Sequence, residues 1–385
     1  MKTFHDVAVI GLGTMGAFAC CELARRGVNV IGFDRFSPPH DRGSHSGDTR
    51  VFRIAYAEHP DYVPLALRAG DLWEHYEGIT GVRMLTRCGM LSIGPKNSPL
   101  LEGILTSSRL HRLPSVELSS TEIRRQFPAF APADHDIGVF ESRAGWIDAT
   151  TAIDCVLKLA SRSGARLVLN SPVTRWSKGG EGFMIATTSG TVEVKAVIVT
   201  AGAWAAELLS ELALPLRVER KVLTWVNPLR PELFEPGVLP VFAFSERLLY
   251  GFPNIGGHGV KLAVHWSEGI AVEDSSAPVT QTRDEDAVEP LTLAARFLPA
   301  LAGALPDALQ RVTQQKTCLY VNSPDGNFIL DQHPEASNLI FAAGFSGHGF
   351  KFAPAVGEAL ADLATAGKTA LPIGFLRAQG RIGMR

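Results

Sequence analysis

The chain has 385 residues, more than one core usually serves, and carries 37 lysines and arginines against 39 aspartates and glutamates, a formal charge of −2. So even a balance gives no broad field for nucleic acid or an anionic membrane, and no apolar run reaches membrane-spanning length. The cysteines (Cys20, Cys21, Cys88, Cys155, Cys318) include no CxxC spacing, which argues for a reducing compartment without a disulfide framework. The first residues enter an apolar strand directly, with no basic stretch leading into an apolar one, so a soluble, cytoplasmic protein is expected.

Val7-Ala-Val-Ile-Gly-Leu-Gly-Thr-Met-Gly16 reads as a buried parallel strand, a glycine turn and the start of a helix that runs through Ala17 to Gly27. Gly11 lets the chain turn, Gly13 lets backbone approach a pyrophosphate, and Gly16 lets the helix pack close to the strand. The first-turn N–H groups are then free to hold an anion. A second strand, Val28 to Asp34, ends in a carboxylate about twenty positions after the glycines, where the acceptor for a ribose 2′-OH belongs. The glycine pattern is weak by itself. With strand, helix, strand and acid around it, it predicts a dinucleotide-binding unit, for FAD or NAD in preference to NADP.

Residues 35–53 form a long polar loop rich in arginine, histidine and hydroxyl groups, and composition fits a solvated connection as well as a loop that carries chemistry. Tyr62 to Tyr76 reads as a structural helix with Pro64 in its first turn. From Leu85 to Phe140 short β pieces such as Gly89–Ile93 alternate with helices at Leu100–Leu110 and near Ser120, where Thr121 and Glu122 suit a first turn. Gly138–Glu141 and Gly145–Asp148 complete an inserted mixed sheet. A helix from Thr151 to Ser161, a strand Ala165–Leu169 and a hairpin of Phe183–Thr187 with Thr191–Val194 around Ser189-Gly190 follow.

Lys195 to Trp204 repeats the opening pattern: an apolar strand, the small residues Ala201, Gly202 and Ala203, then a helix to Leu212. This is either an ordinary βα junction or a second cofactor contact, and the first motif favours the contact. A second mixed piece spans about Arg217 to Gln315, with strands at Val222–Val226, Leu239–Phe244 and Gly259–Trp266 and a helix at Asp284–Phe297. Alternation puts Lys261, Ala263 and His265 on one face of the Gly259–Trp266 strand, a face for solvent or for a polar cavity. Strands at Lys316–Tyr320, Asn327–Asp331 and Leu339–Ala343, a Gly344–Gly349 loop and a helix at Pro354–Ala364 close the pattern. The segment Arg377–Arg385 is expected to fray.

Four segments, Gly-Ser-His-Ser-Gly-Asp-Thr-Arg (43–50), Tyr-Gly-Phe-Pro (250–253), Lys-Thr-Cys-Leu-Tyr (316–320) and Ala-Gly-Phe-Ser-Gly-His-Gly-Phe-Lys (343–351), resemble the monomeric sarcosine oxidase and N-methyl-tryptophan oxidase family, and the likeness runs end to end. The resemblance implies an α/β fold with a discontinuous Rossmann-like FAD-binding domain (1–84, 145–216 and 316–385) and a mixed-sheet substrate domain (85–144 and 217–315). It implies oxidation of a secondary amino acid by O₂ to an imine and hydrogen peroxide, with formaldehyde released when an N-methyl group is oxidised. A monomer is expected, with no nucleic-acid, membrane or metal partner.

Cys318 matches the family cysteine that holds FAD covalently, although composition alone would make it an inert buried thiol. Arg53 and Lys351 match the carboxylate clamp, Tyr250 and His265 the cavity walls, and Lys261 with Arg50 the positive groups where oxygen is activated. With His265 protonated, these charges would favour loss of the amine's proton. The cofactor contacts implied are Gly11, Gly13, Met15, Gly16, Asp34, Arg42, Ser44, His45, Thr49, Arg50, Val173, Ala201, Gly202, Trp204, Cys318, Phe345, Gly347, His348, Gly349 and Lys351. Ser46 and Ile54 depart from histidines of close relatives, Glu58 keeps an acid by the entrance, and Trp225 and Trp266 could enlarge an aromatic surround or pack in the core. Oxidases of pipecolate or of primary amino acids, FAD dehydrogenases, and a flavin-binding protein without turnover are the other readings.

Overall fold

The computed structural model describes residues 4–180, 182–188, 190–267, 269–272 and 281–381. Its first sheet is organised on β1 (Phe4–Ile10), whose alternation sends Val7 and Val9 to one face and Ala8 and Ile10 to the other. β1 lies parallel between β2 (Val30–Phe33) and the long β12 (Gly190–Val199), and β9 (Arg166–Val168) extends the sheet beyond β2. Besides β1, β12 serves two partners. Its first half pairs antiparallel with β11 (Gly182–Thr187), which pairs in turn with β10 (Val173–Gly179). Its second half pairs in parallel with β20 (Ala336–Ala343), flanked by the antiparallel β19 (Ile329–His333). The hairpin read from the sequence is thus present with Phe183 opposite Val194, while Ser189 lies outside the described residues.

Helices α1 (Thr14–Arg25), α2 (Tyr62–Thr80), α5 (Ala149–Arg162) and α10 (Ala353–Ala366) cover the Val7/Val9 face with Phe18, Trp73, Ile153 and Leu360. Asp148 caps α5 by accepting from the Thr151 N–H at 2.8 Å. The opposite face buries Phe33, Val199, Leu209 and Phe341. The helix expected to reach Leu212 is broken into the short α6 (Ala205–Leu208) between 3₁₀ turns, which lets both Leu209 and Leu212 turn into that core.

The second sheet runs in the order β17 (Ile270–Ala271), β13 (Arg217–Val226), β16 (Val260–Val264), β15 (Leu249–Asn254), β14 (Val241–Phe244), β5 (Met90–Pro95), β7 (Asp136–Glu141), β6 (Val116–Ser119). Only β14 and β5 are parallel in this path, so the sheet is mixed. One face is apolar. Leu91, Phe242, Phe244 and Leu262 pack there with α4 (Ser120–Gln126), α7 (Val288–Phe297), α8 (Pro299–Ala302) and α9 (Leu305–Gln310), through Ile123, Leu291, Leu301 and Ala308. The other face carries Met90, Ser92, Ala243, Tyr250 and Cys318, which bound the cavities described below, and beside them stands α3 (Pro99–His111).

Several expectations change. β18 (Val312–Asn322) pairs along the length of β13, so a border at 315/316 would cut a strand, and Cys318 belongs to the second sheet. β3 (Thr49–Phe52) and β4 (Leu85–Thr86) both pair with β8 (Gly145–Asp148), so part of the 35–53 loop is a strand and Leu85 joins the segment that starts at Gly145. The tail is tied down as far as Arg381: the Ala378 N–H donates to Asp331 at 2.9 Å and Arg381 pairs with Asp325 at 2.5 Å. Residues 382–385 of that segment lie outside the described residues.

Candidate active site

Where β1 ends, Gly11 turns the chain with φ +92, and a Cβ there would stand 2.6 Å from the Thr200 carbonyl oxygen at the end of β12. A Cβ on Gly16 would stand 1.8 Å from the Gly11 oxygen, so strand, turn and helix approach more closely than any side chain permits. Thr200 Oγ1 donates to that same oxygen at 2.8 Å and fastens the turn. α1 begins after Gly13 with no side-chain cap, leaving its first N–H groups for an anion. Asp34 accepts from the Leu12 and Phe36 N–H groups at 2.8 Å each and keeps acceptor capacity for a hydroxyl.

These groups open on a cleft of about 1330 Å³, counting the space open to solvent. Of the cofactor contacts that the resemblance implies, Gly11, Gly13, Met15, Asp34, Ser44, His45, Arg50, Val173, Ala201, Gly202, Trp204, Cys318, Phe345, Gly347 and Gly349 bound this cleft. Gly16, Arg42, Thr49, His348 and Lys351 do not. Gly16 acts through helix packing, and the Arg42 guanidinium lies 4.7 Å from the centre of the Phe36 ring. Thr49 is bonded to Lys261, and His348 and Lys351 bound a different cavity. Arg35, His40, Pro172 and Tyr320 were not anticipated. Tyr320 was legible, since it stands two residues from Cys318 on one strand and so on the same face.

The buried Cys318 thiol donates to the Ser44 carbonyl at 3.2 Å and receives Arg50 Nη2 at 3.4 Å. Burial pushes its pKa up, while Arg50 and Lys261 act in the other direction. Arg50 also donates to the carbonyls of Thr49 (2.8 Å), Ser44 (2.9 Å) and Ser46, which fixes the 44–49 loop against the thiol.

A second cavity, bounded by Arg53, Glu58, Tyr250, His265, His348 and Lys351, adjoins the first through Arg50, Gly347 and Phe350. Arg53 Nη2 donates to both Glu58 oxygens at 2.5 and 2.6 Å, and its guanidinium lies 4.3 Å from the centre of the Tyr56 ring. Burial alone would raise Glu58, yet Arg53, His348 and Lys351 hold it far below the usual carboxylate range. Lys351 Nζ donates to the His348 carbonyl at 2.6 Å, and burial reinforced by Arg53 brings its pKa down to about 7. His265 was expected as a cation. Burial, reinforced by His348, lowers it to about 3, so the imidazole is neutral at pH 7. Its Nδ1 lies 3.3 Å from the Tyr320 hydroxyl, and the Tyr320 ring is seated against Gly347 (φ +76), where a Cβ would come within 2.1 Å of it.

Lys261 bounds neither cavity. Its Nζ donates to the carbonyls of Gly47 (2.9 Å) and Thr49 (2.8 Å) and to Thr49 Oγ1, with the Phe252 ring centre 3.9 Å away. Three oxygen acceptors match the three donors of an ammonium, although burial and then Arg50 push its pKa well below the lysine range. Ile54 is core, Trp225 packs with Cys318 and Tyr320, and Trp266 is exposed. Among the described residues no group of three or more His, Cys, Asp or Glu could hold a metal, and no helix is long and apolar enough to cross a membrane.

A family profile described as DAO, FAD dependent oxidoreductase, matches residues 6–363. Monomeric sarcosine oxidase of Streptomyces avermitilis is 36% identical over 387 residues, covering 97% of each chain. N-methyl-L-tryptophan oxidase of Yersinia pestis is 35% identical over 360 residues, covering 93% of this chain and 94% of that one. Among solved structures, L-proline dehydrogenase from P. horikoshii has a TM-score of 0.85 at 20% identity with 100% of both chains covered. NikD, an amino acid oxidase of nikkomycin biosynthesis, has a TM-score of 0.83 at 24% identity with 98% of both covered. At such identities the structural likeness is one of fold.

Proposed function

This chain belongs to the FAD dependent oxidoreductase (DAO) family, oxidising an amino acid or other amine with FAD and O₂, and we propose that its substrate is a secondary, N-methyl L-amino acid. Its α/β architecture, a Rossmann-type FAD-binding region beside a separate mixed-sheet substrate domain, is that of the family. The observation that carries the proposal is the cavity next to the dinucleotide cleft, where two cationic side chains, Arg53 and Lys351, stand with a neutral His265 and Tyr250.

Gly11, Gly13, Asp34 and the first turn of α1 would hold the adenosine and pyrophosphate of FAD, and Cys318 would hold it covalently. Bound there, FAD supplies the two-electron acceptor that O₂ reoxidises. Arg53 and Lys351 receive the substrate carboxylate, Arg53 sharing its donors with Glu58. The same two cations disfavour a protonated amine beside them, and the neutral His265 can accept the proton that leaves. Loss of two electrons and a proton from the N-methyl carbon, and of the remaining proton from nitrogen, gives an imine, and these two electrons and two protons are what finally reduce O₂ to hydrogen peroxide. Water then adds to the imine and releases formaldehyde and the demethylated amino acid. Lys261 and Arg50 supply positive charge for the reaction with O₂.

The test is acid precipitation of the yellow protein, followed by an anaerobic panel of secondary and primary amino acids. Colour that stays in the pellet and is released by Cys318→Ala supports the covalent link. Bleaching by N-methyl amino acids, with formaldehyde formed in air, supports the reaction. Peroxide without formaldehyde would move the substrate to cyclic or primary amino acids.

A further inference from the structure

Tyr56 lines neither the dinucleotide cleft nor the amino-acid cavity, yet it touches both cations of the clamp. It is fully buried, on the segment that follows β3. That segment is fastened before and after the ring. The Ile54 and Ala55 N–H groups donate to the Glu141 carboxylate at 2.7 and 3.0 Å, and the Tyr56 carbonyl accepts from Ser107 Oγ of α3 at 2.5 Å. The Arg53 guanidinium lies 4.3 Å from the centre of the ring and Lys351 Nζ lies 5.2 Å from it. Both are inside the ~6 Å over which a cation is drawn to the negative face of an aromatic ring. Phe352 adds a second ring for Lys351 at 5.5 Å, so among the described residues Tyr56 alone serves both cations.

The hydroxyl has a separate task. His348 Nε2 faces the Gly326 carbonyl at 3.0 Å, and a carbonyl can only accept, so that nitrogen carries the proton. Nδ1 is then an acceptor, and the Tyr56 hydroxyl donates to it at 2.5 Å. The carbonyl of the same His348 receives Lys351 Nζ. Ring and hydroxyl thus both bear on one ammonium.

That ammonium lacks a counter-ion of its own. Glu58 is engaged by Arg53, whereas Lys351, 4% exposed, forms no ion pair among the described residues. Burial and the Arg53 charge both disfavour its charged form, and Glu58 only partly offsets them. The remaining ionisable groups of the cavity are Arg50 of β3, Tyr250 of β15, His265 after β16 and His348, and none of them is an anion at neutral pH. Tyr62 of α2, also neutral, packs on Tyr56 with ring centres 4.7 Å apart. Until a carboxylate arrives, the face of the Tyr56 ring supplies the missing negative potential.

We propose that Tyr56 is the positioning residue of the clamp: its ring keeps Arg53 and Lys351 in place and charged, and its hydroxyl holds the His348 whose carbonyl receives Lys351. The inference rests on the reading of Arg53 and Lys351 as the carboxylate clamp.

The test is calorimetric titration of the holoenzyme with methoxyacetate, an ether in place of the amine of N-methylglycine, and with the neutral methoxyacetamide. Tyr56→Phe removes the hydroxyl alone. A ring-trifluorinated phenylalanine at position 56 then withdraws electron density from the ring's face while nearly keeping its shape. Flavin content and melting temperature report folding. Relative to Tyr56→Phe, the fluorinated ring should weaken methoxyacetate about three- to tenfold near pH 8, and hardly at all near pH 6, where Lys351 keeps its proton unaided. Tyr56→Phe itself should bind methoxyacetate about two- to tenfold more weakly than the unaltered enzyme at both pH values. Methoxyacetamide should be indifferent to either change.

A fluorinated enzyme that matches Tyr56→Phe near pH 8 overturns the role of the ring. Equal losses for acid and amide would reduce Tyr56 to packing and overturn the proposal. Unaltered affinity in Tyr56→Phe overturns the part given to the hydroxyl. If the unaltered enzyme holds methoxyacetamide as tightly as methoxyacetate, the clamp reading itself fails and the proposal falls with it.

Discussion

The two cavities meet at Arg50, Gly347 and Phe350 but are built in opposite ways. The dinucleotide cleft is largely a backbone device at the ends of parallel strands: Gly11 after β1, Asp34 after β2, Thr200 to Gly202 after β12, and Gly344 after β20. The amino-acid cavity is a side-chain device gathered from β3, β5, α3, β14, β15 and the segment before α10. A backbone device fails when a Cβ is added. A side-chain device fails by degrees, according to the charge or surface removed.

The largest effect should come from the first. Gly16→Val would drive side-chain carbons into the Gly11 oxygen, where even a Cβ would stand at 1.8 Å, and the purified protein should lose its flavin absorbance and all activity. A yellow, active Gly16→Val enzyme would break the comparison. Next, Lys261→Met should slow the reaction of the reduced enzyme with O₂ by on the order of 10²–10³, with reduction by substrate little changed in stopped-flow traces. Arg53→Ala leaves Glu58 as a charge without its fork and removes half the clamp. A loss of about 3 kcal/mol, on the order of 10² in kcat/KM, is expected with flavin content unaltered, which steady-state kinetics and a visible spectrum would check.

The smallest effect is one of pH. Lys351, lowered to about 7, holds its charge below that pH and loses it as pH rises through it. Binding of a carboxylate inhibitor should therefore be strongest below about pH 7 and weaken by up to about tenfold per pH unit above it. Lys351→Met should bind weakly and lose that pH dependence. An affinity flat from pH 6 to 9 in the unaltered enzyme would overturn the assignment of a Lys351 that titrates near 7 to the bound carboxylate.

The same contrast explains what could be read in the chain. The β1–α1 turn, Asp34, the Ala201–Gly202 junction and the Gly344–Gly349 loop were legible because their geometry is local: glycine spacing and strand ends set it within a few residues. Alternation on β16 correctly divided Val260, Leu262 and Val264 from Lys261 and Ala263. It could not say what would cover the second face. Lys261 turns out to be bonded to the Gly47–Thr49 backbone, a contact across more than two hundred residues of chain that no period reveals.

The fold class, the dinucleotide unit and the strand faces were determined by the sequence alone, because they follow from short-range periodicity and from residues whose backbone freedom is intrinsic. Only the tertiary structure decided that β18 joins the second sheet, that Trp225 is buried while Trp266 is exposed, that α3 walls the amino-acid cavity, and that His265 is neutral. Strand partners, solvent exposure and the desolvation that sets a pKa depend on every group packed around a residue, and those groups come from distant parts of the chain.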